Sequence, residues 1–414
     1  MIRSSTWTHL LVASVMVVLA WLPPRRAHAY AWMIRHEYAG CAQCHADPSG
    51  GGLLTLYGRA QGEILLRSHY SKGAETEEPG AVGGFLFGAV PLPESVLVGG
   101  DYRGMYLYNT LAGSPATSQL VQMQADVEGQ VTFGRVRLNG SLGYDHGGAE
   151  GAWITSRAED NLVSRVYWAG IDLGEDKSWL LRAGRMNIPF GIRSIEHTLF
   201  IHSPPMIPGG GVGDDTNTGQ ELGVALAYNG EHFRGEVMAI VGNYQESPDA
   251  FRQRGYSGYV EWDPTAKLAL GVSSLVTESQ DDPILGTALV RQAHGVFARA
   301  VAWKPLTILV EEDLLVDSQP ASAVGSGKPT TNVGHAGMLQ ADVEPWQGLH
   351  LMVTGEMTRP PVAGAASSFG IWASAAWFFL PHVDVRVDAI QQSLALAASP
   401  LSSSTLLLQL HAFL

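Results

Sequence analysis

The sequence predicts an all-β fold, a transmembrane antiparallel β-barrel of about 16 strands preceded by a short N-terminal plug segment. Three observations predict it: a secretory leader, long runs of strict two-residue alternation, and no apolar run long enough for a spanning helix after that leader. Charged residues make up 16%, Gly numbers 48 and mean hydropathy is near zero. That composition excludes a helical membrane protein and leaves a barrel open, because barrel strands hide their hydrophobicity in alternation.

Arg3 lies in a short n-region, Leu10 to Leu22 is apolar, and Ala27-His28-Ala29 supplies a small-x-small cleavage site. Residues 1–29 therefore read as a signal peptide, and the mature chain starts at Tyr30. The leader's apolar run falls short of the ~20 residues that a spanning helix needs. Losing Arg3, Arg25 and Arg26 moves the formal charge from -13 to about -16. An acidic chain without a Lys/Arg cluster argues against nucleic acid and anionic lipid as partners.

The only two cysteines stand in Cys41-Ala42-Gln43-Cys44-His45. A C-x-x-C-H run is the pattern for covalent attachment of a c-type haem: two thiols meet the two vinyl groups, and the next residue offers an imidazole to the iron. Zinc is the competing reading, but a structural zinc site takes four protein ligands and no second Cys pair exists. A thioredoxin-like pair needs a βαβ pattern, which is also missing. The expected site is one covalent haem c on Cys41 and Cys44 with His45 as the proximal iron ligand, against a chance C-x-x-C-H or a simple thiol pair. Met33, His36, His69 and, from the barrel, Met105 are the candidate distal ligands. Gly50-Gly51-Gly52 reads as a flexible turn, and Leu53 to Leu66 as a short amphipathic helix interrupted by Gly58 and Gly62.

Residues 30–70 form the monohaem segment, 71–94 a Gly/Pro/acid linker and 95–414 the barrel. In Val121 to Phe133 the residues Val121, Met123, Ala125, Val127, Gly129, Val131 and Phe133 share one face and polar residues the other. Arg135–His146, Leu349–Thr358 and Val383–Gln391 repeat the pattern. Weaker segments fall at 95–111, 162–172, 177–186, 219–230, 231–243, 254–263, 266–276, 290–304, 305–317, 331–344, 368–380 and 404–414. Tyr167, Trp168, Trp179, Tyr256, Trp262, Trp303 and Trp377 sit near strand ends, as in the aromatic girdles of outer-membrane barrels. A soluble sandwich also alternates, but it needs neither so many strands nor such long ones. Leu406, Leu408, Leu410, Ala412 and Leu414 share a face of a final strand that ends the chain, which looks like an outer-membrane sorting signal.

Asn187 to Thr218 is a long irregular stretch within the barrel region. Its entry, Gly184 to Arg193, resembles a run of Gram-negative porins in which a strand leads into a loop folded towards the pore. Glu196, His197, His202, Asp214 and Asp215 are candidates for metal affinity or a constriction, against the reading of an ordinary surface loop. Asp126, Glu128, Glu356, Asp384 and Asp388 on the polar faces favour cations in the lumen, with Arg137 and Arg386 offsetting them through ion pairs.

The whole layout, leader, one C-x-x-C-H and barrel, resembles the fused monohaem cytochrome-porins of iron-oxidising bacteria. Leu54-Thr55-Leu56-Tyr57-Gly58-Arg59 is similar to the L-T-x-[FY]-G-R segment that follows the family's haem motif. The resemblance implies an outer-membrane electron-transfer protein, or a ferrous iron oxidase, of a Gram-negative bacterium. Its partners would be outer-membrane lipid, a periplasmic carrier such as a soluble cytochrome, and an extracellular donor or acceptor, ferrous iron among them. A diffusion porin whose haem plug gates or senses is the alternative, and a non-haem barrel with an incidental Cys pair is the third.

Overall fold

The computed structural model describes residues 31–38, 40–69, 90, 92–144, 161–192, 199–202, 219–242, 252–282, 286–323, 327–395 and 400–414. The strands follow from alternation: in Leu349–Arg359, Leu351 and Val353 face out while His350, Met352, Thr354 and Glu356 are buried inside. Val383–Leu394 does the same, with Asp384, Arg386 and Asp388 inside. Every neighbouring pair is antiparallel, and Val96–Leu111 bonds both Thr117–Phe133 and Leu401–Phe413, which closes the ring. Closure leaves no sheet edge, so the backbone groups of the wall are met by neighbouring strands, the condition for strands to cross lipid.

Leu162–Val163 and Tyr167–Leu173 both pair with Val136–Tyr144 and form one span interrupted at Ser164 to Val166. Counted so, the described barrel has 16 spans. The short connections, 134–135, 174–178, 230–232, 266–267, 304–305, 347–348 and 381–382, gather at one end, and the longer ones at the other. Short turns mark the periplasmic end of such barrels. Tyr167, Trp179, Tyr256, Trp303 and Trp377 are exposed on the outside, as a girdle requires; Trp168 is not. It faces inward, with the Arg182 guanidinium 5.4 Å from its ring centroid.

The alternation of Val121–Phe133 is broken by a bulge. Arg103 pairs with Gln124 but Gly104 with Gln122, so Met123 has no partner across the ladder. The extra residue flips the phase: Met123 packs inside while Val127 and Phe133 face out. The period read as unbroken in the sequence therefore crosses from one face to the other within one strand.

Candidate functional site

Two segments enter the barrel. Residues 31–38 and 40–69 lie within the lumen at its short-turn end, and the described segment after Asn187 enters from the opposite end. In the first segment the motif makes one tight turn, with the Cys41 carbonyl accepting from both Cys44 N at 3.2 Å and His45 N at 3.0 Å. That turn turns the chain through one helical step between the two thiols. Cys44 is buried and Cys41 half-buried. Burial, and then the neighbouring Cys41, pushes the Cys44 thiol up to about 12.

His45 Nδ1 donates to the Gly52 carbonyl at 3.3 Å. A carbonyl on Nδ1 fixes the tautomer with its lone pair on Nε2, as in a metal-ligating imidazole. The glycine triplet makes that bond possible. Gly50, Gly51 and Gly52 all take positive φ and make the expected turn a left-handed one. A Cβ on Gly52 would also stand 2.8 Å from the Glu128 carboxylate, which accepts Leu53 N at 2.7 Å.

The helix spans Leu56–Gln61 and runs on into a π turn over Gly62–Leu66. Thr55 caps it by accepting from Gly58 N, and its hydroxyl donates to Gln43 O at 2.6 Å. Gly58 does not interrupt the helix. It allows close approach, since a Cβ there would lie 2.8 Å from Cys44 Cα. Arg59 donates to Val98 O on the first strand. Thus four of the six residues from Leu54 to Arg59 hold the motif: Leu54 bridges His45, Thr55 ties Gln43, Gly58 packs on Cys44 and Arg59 joins the wall.

Ion pairs fasten the segment elsewhere. Arg35 meets Asp342 at 2.8 Å and Glu344 at 3.5 Å, and Arg182 spans Asp47 at 3.0 Å and Glu236 at 2.6 Å. All are buried, so removing one partner strands its counter-charges. Arg182→Met is expected to cost about 3–5 kcal/mol, read as a lower denaturation midpoint and faster proteolysis of the 31–69 segment. At the 381–382 turn, burial and then the Arg59 charge lower the His382 imidazole to about 4. A depressed histidine stabilises the fold above its unfolded value near 6.5 and loses that contribution as pH falls towards 4. Protease sensitivity around Gly62, which packs on His382, is therefore expected to rise over that interval. His382→Asn, which tolerates the positive φ found there, should flatten the rise.

The candidate distal ligands separate. Met33 packs with Leu54, the residue bridged to His45, in a cluster with Trp32, Leu66, Phe378 and Phe413. His36 Nε2 is engaged with Glu344 at 3.2 Å and His69 Nε2 with the Ile64 carbonyl at 3.0 Å. Met105 belongs to a different cluster, with the inserted loop.

In that loop Ile188, Phe190, Ile192, Leu199, Phe200 and Ile201 are buried in the lumen. All but Phe200 cluster with inward residues such as Met123, Phe297, Met338 and Trp372. Glu311 accepts Ile192 N and Glu356 accepts Phe200 N, each at 2.7 Å. The described part is thus an apolar layer across the barrel and not a surface loop. Glu196, His197, Asp214 and Asp215 lie outside the described residues, as does the His202 side chain. Among the described residues no three His, Cys, Asp or Glu side chains group as a metal site.

The expected acidic lumen is largely matched within itself. Asp126 pairs with Arg165 and Asp388 with Arg386, while His411 bonds Asp384. Arg137 pairs with Asp172. Glu356 serves Trp372 and Gln392 besides the loop.

A haem fits the attachment residues: two thiols on one turn and an imidazole oriented through Nδ1. Cys41 borders a narrow cavity lined by Phe190, Ile192, Tyr259, Arg234 and Arg299, among others.

No family model matches the chain, and no curated protein sequence does. Solved structures do match. OmpT, an outer membrane protein of Vibrio cholerae, superposes with a TM-score of 0.57 at 10% identity, covering 79% of this chain and 100% of that one. The chain has the porin-like fold of an outer-membrane β-barrel. The outer membrane channel DcaP of Acinetobacter baumannii is similar too, with a TM-score of 0.54, 14% identity and coverage of 77% and 97%. An anion-selective porin from Comamonas acidovorans gives 0.57, 12%, 77% and 99%. The apolar outer wall is consistent with this fold, and together they make the protein an outer-membrane barrel of the Gram-negative type.

Proposed function

We propose that this barrel is an outer-membrane electron-transfer protein carrying one covalent haem c on Cys41 and Cys44, with His45 as proximal ligand and the distal ligand drawn from Met33, His36, His69 and Met105. The observation that carries the reading is His45 held by its Nδ1 to Gly52 O on a C-x-x-C-H turn inside a filled lumen. When bound, the haem supplies a one-electron ferric/ferrous couple. The chain's own part is to hold the motif, to exclude water through the apolar loop layer and to surround it with paired charges.

Depth supports a division of sides. Cys41 adjoins Arg234, the second residue of Phe233–Ile240, and shares a cavity with Glu261 and Arg299, each four positions from a short-turn end. Four residues of tilted strand amount to roughly 10 Å of an apolar band ~25 Å tall. The motif therefore serves a periplasmic carrier directly, and an extracellular donor, ferrous iron among them, must deliver its electron past the loop layer.

The alternative is a diffusion porin whose haem-bearing plug gates or senses. Its favouring observation is the fold itself, shared with an outer membrane channel and an anion-selective porin. The separating experiment is expression with c-type haem maturation, a haem stain after denaturing electrophoresis, and anaerobic addition of ferrous iron while the haem absorbance is followed. Prompt reduction supports electron transfer. Attached haem that stays oxidised, with solute flux through the barrel, supports the porin.

A further inference from the structure

Beside the motif stands a buried charge set that the attachment chemistry does not need. Arg234 Nη1 lies 3.4 Å from Cys41 Sγ. Its Nε donates to Glu261 at 2.7 Å, and Arg299 donates to the same carboxylate oxygen. Two guanidinium groups thus share one carboxylate. A second set, Arg182 with Asp47 and Glu236, carries the opposite imbalance. Arg234 is the member of either set shown in contact with a motif sulfur.

We infer that Arg234 is a positioning residue that raises the reduction potential of the group borne on Cys41, with Glu261 as the counter-charge that limits the effect. The inference rests on the haem reading proposed above. Its physical basis is that ferric haem carries one more positive charge than ferrous haem. A guanidinium fixed beside the macrocycle's anchored edge in a low-dielectric lumen disfavours the ferric form. No proton or co-reactant is involved, because the arginine stays charged throughout.

The test is spectroelectrochemical titration of haem-loaded, detergent-purified barrels. Arg234→Gln is expected to lower the midpoint potential, Arg234→Lys to restore most of it, and Glu261→Gln to raise it. Opposite shifts from two members of one ion pair separate charge from mere loosening of the fold, and recovery by the charge-keeping Arg234→Lys makes the same separation if Glu261→Gln fails to assemble. Arg386→Gln breaks an equally buried pair with Asp388 on the far wall and should leave the potential unchanged. Equal midpoints for Arg234→Gln and the unaltered chain, or the same shift from Arg386→Gln, would overturn the inference while the haem stain stays positive. A chain that takes up no covalent haem would overturn the haem reading, and this inference with it.

Discussion

Serine at both Cys41 and Cys44 is expected to abolish haem staining of the barrel band while leaving the heat-modifiable folded band in place. The two thiols are the only ones in the chain, so no other thioether can form. The wall does not depend on them: its strands are joined from Val96 round to Phe413 by backbone ladders and lumen ion pairs. A single Cys44→Ser change leaves one sulfur and should give weakened, heat-labile staining. His45→Gly should keep both thioethers but lose the low-spin spectrum, because on the proposed reading the iron is held by Nε2 of the imidazole that Gly52 O orients. Staining that survives the double change would show that the motif is not the attachment site.

The second large effect concerns permeation. Purified full-length protein in planar bilayers is expected to conduct far less than an empty barrel of its size, because two independent layers cross the lumen. Removing residues 31–69 takes away the fastened segment but leaves the apolar layer of Ile188 to Ile192 and Leu199 to Ile201. Serines at Phe190, Ile192 and Ile201 in that shortened chain should then raise conductance on the order of tenfold or more, since an unfilled 16-stranded barrel leaves an aqueous channel. The shortened chain alone should show the smaller part of the rise. A wide, steady conductance from the full-length protein would favour the diffusion reading.

Much of the wall was legible because alternation is enforced by lipid on one side and paired polar groups on the other. Leu351 and Val353 against His350 and Glu356 could be assigned before any coordinates, and each weaker segment found a strand within a few residues. What alternation cannot reveal is a phase change: Met123 is apolar on either face, and only the pairing of Arg103 and Gly104 shows the bulge. Trp168 misled for a related reason, since an aromatic near a strand end suits a girdle or an interior cation such as Arg182 equally well.

In the site, Cys41, Cys44 and His45 announced themselves by spacing. The residues that hold them did not. Gly52 reads as part of a turn and Gly58 as a helix interruption, although both allow close approach, to Glu128 and Cys44. Arg234 and Glu261 are about two hundred residues from the motif, and only barrel closure brings them to it. The one available signal was an Arg on the inward face of one strand and a Glu on the inward face of its neighbour. The loop after Asn187 was read for its polar residues, yet its described lumen contacts are made by the apolar ones between them.

The most direct measurement uses proteoliposomes holding the haem-loaded barrel, with a ferric electron acceptor sealed inside and a membrane-impermeant reductant added outside. The account predicts that the haem absorbance shifts to the ferrous form and returns as the internal acceptor is reduced, while a trapped small dye stays inside. Dye escape with no change in the haem band, or acceptor reduction that proceeds equally in the Cys41, Cys44 double serine variant, would contradict it.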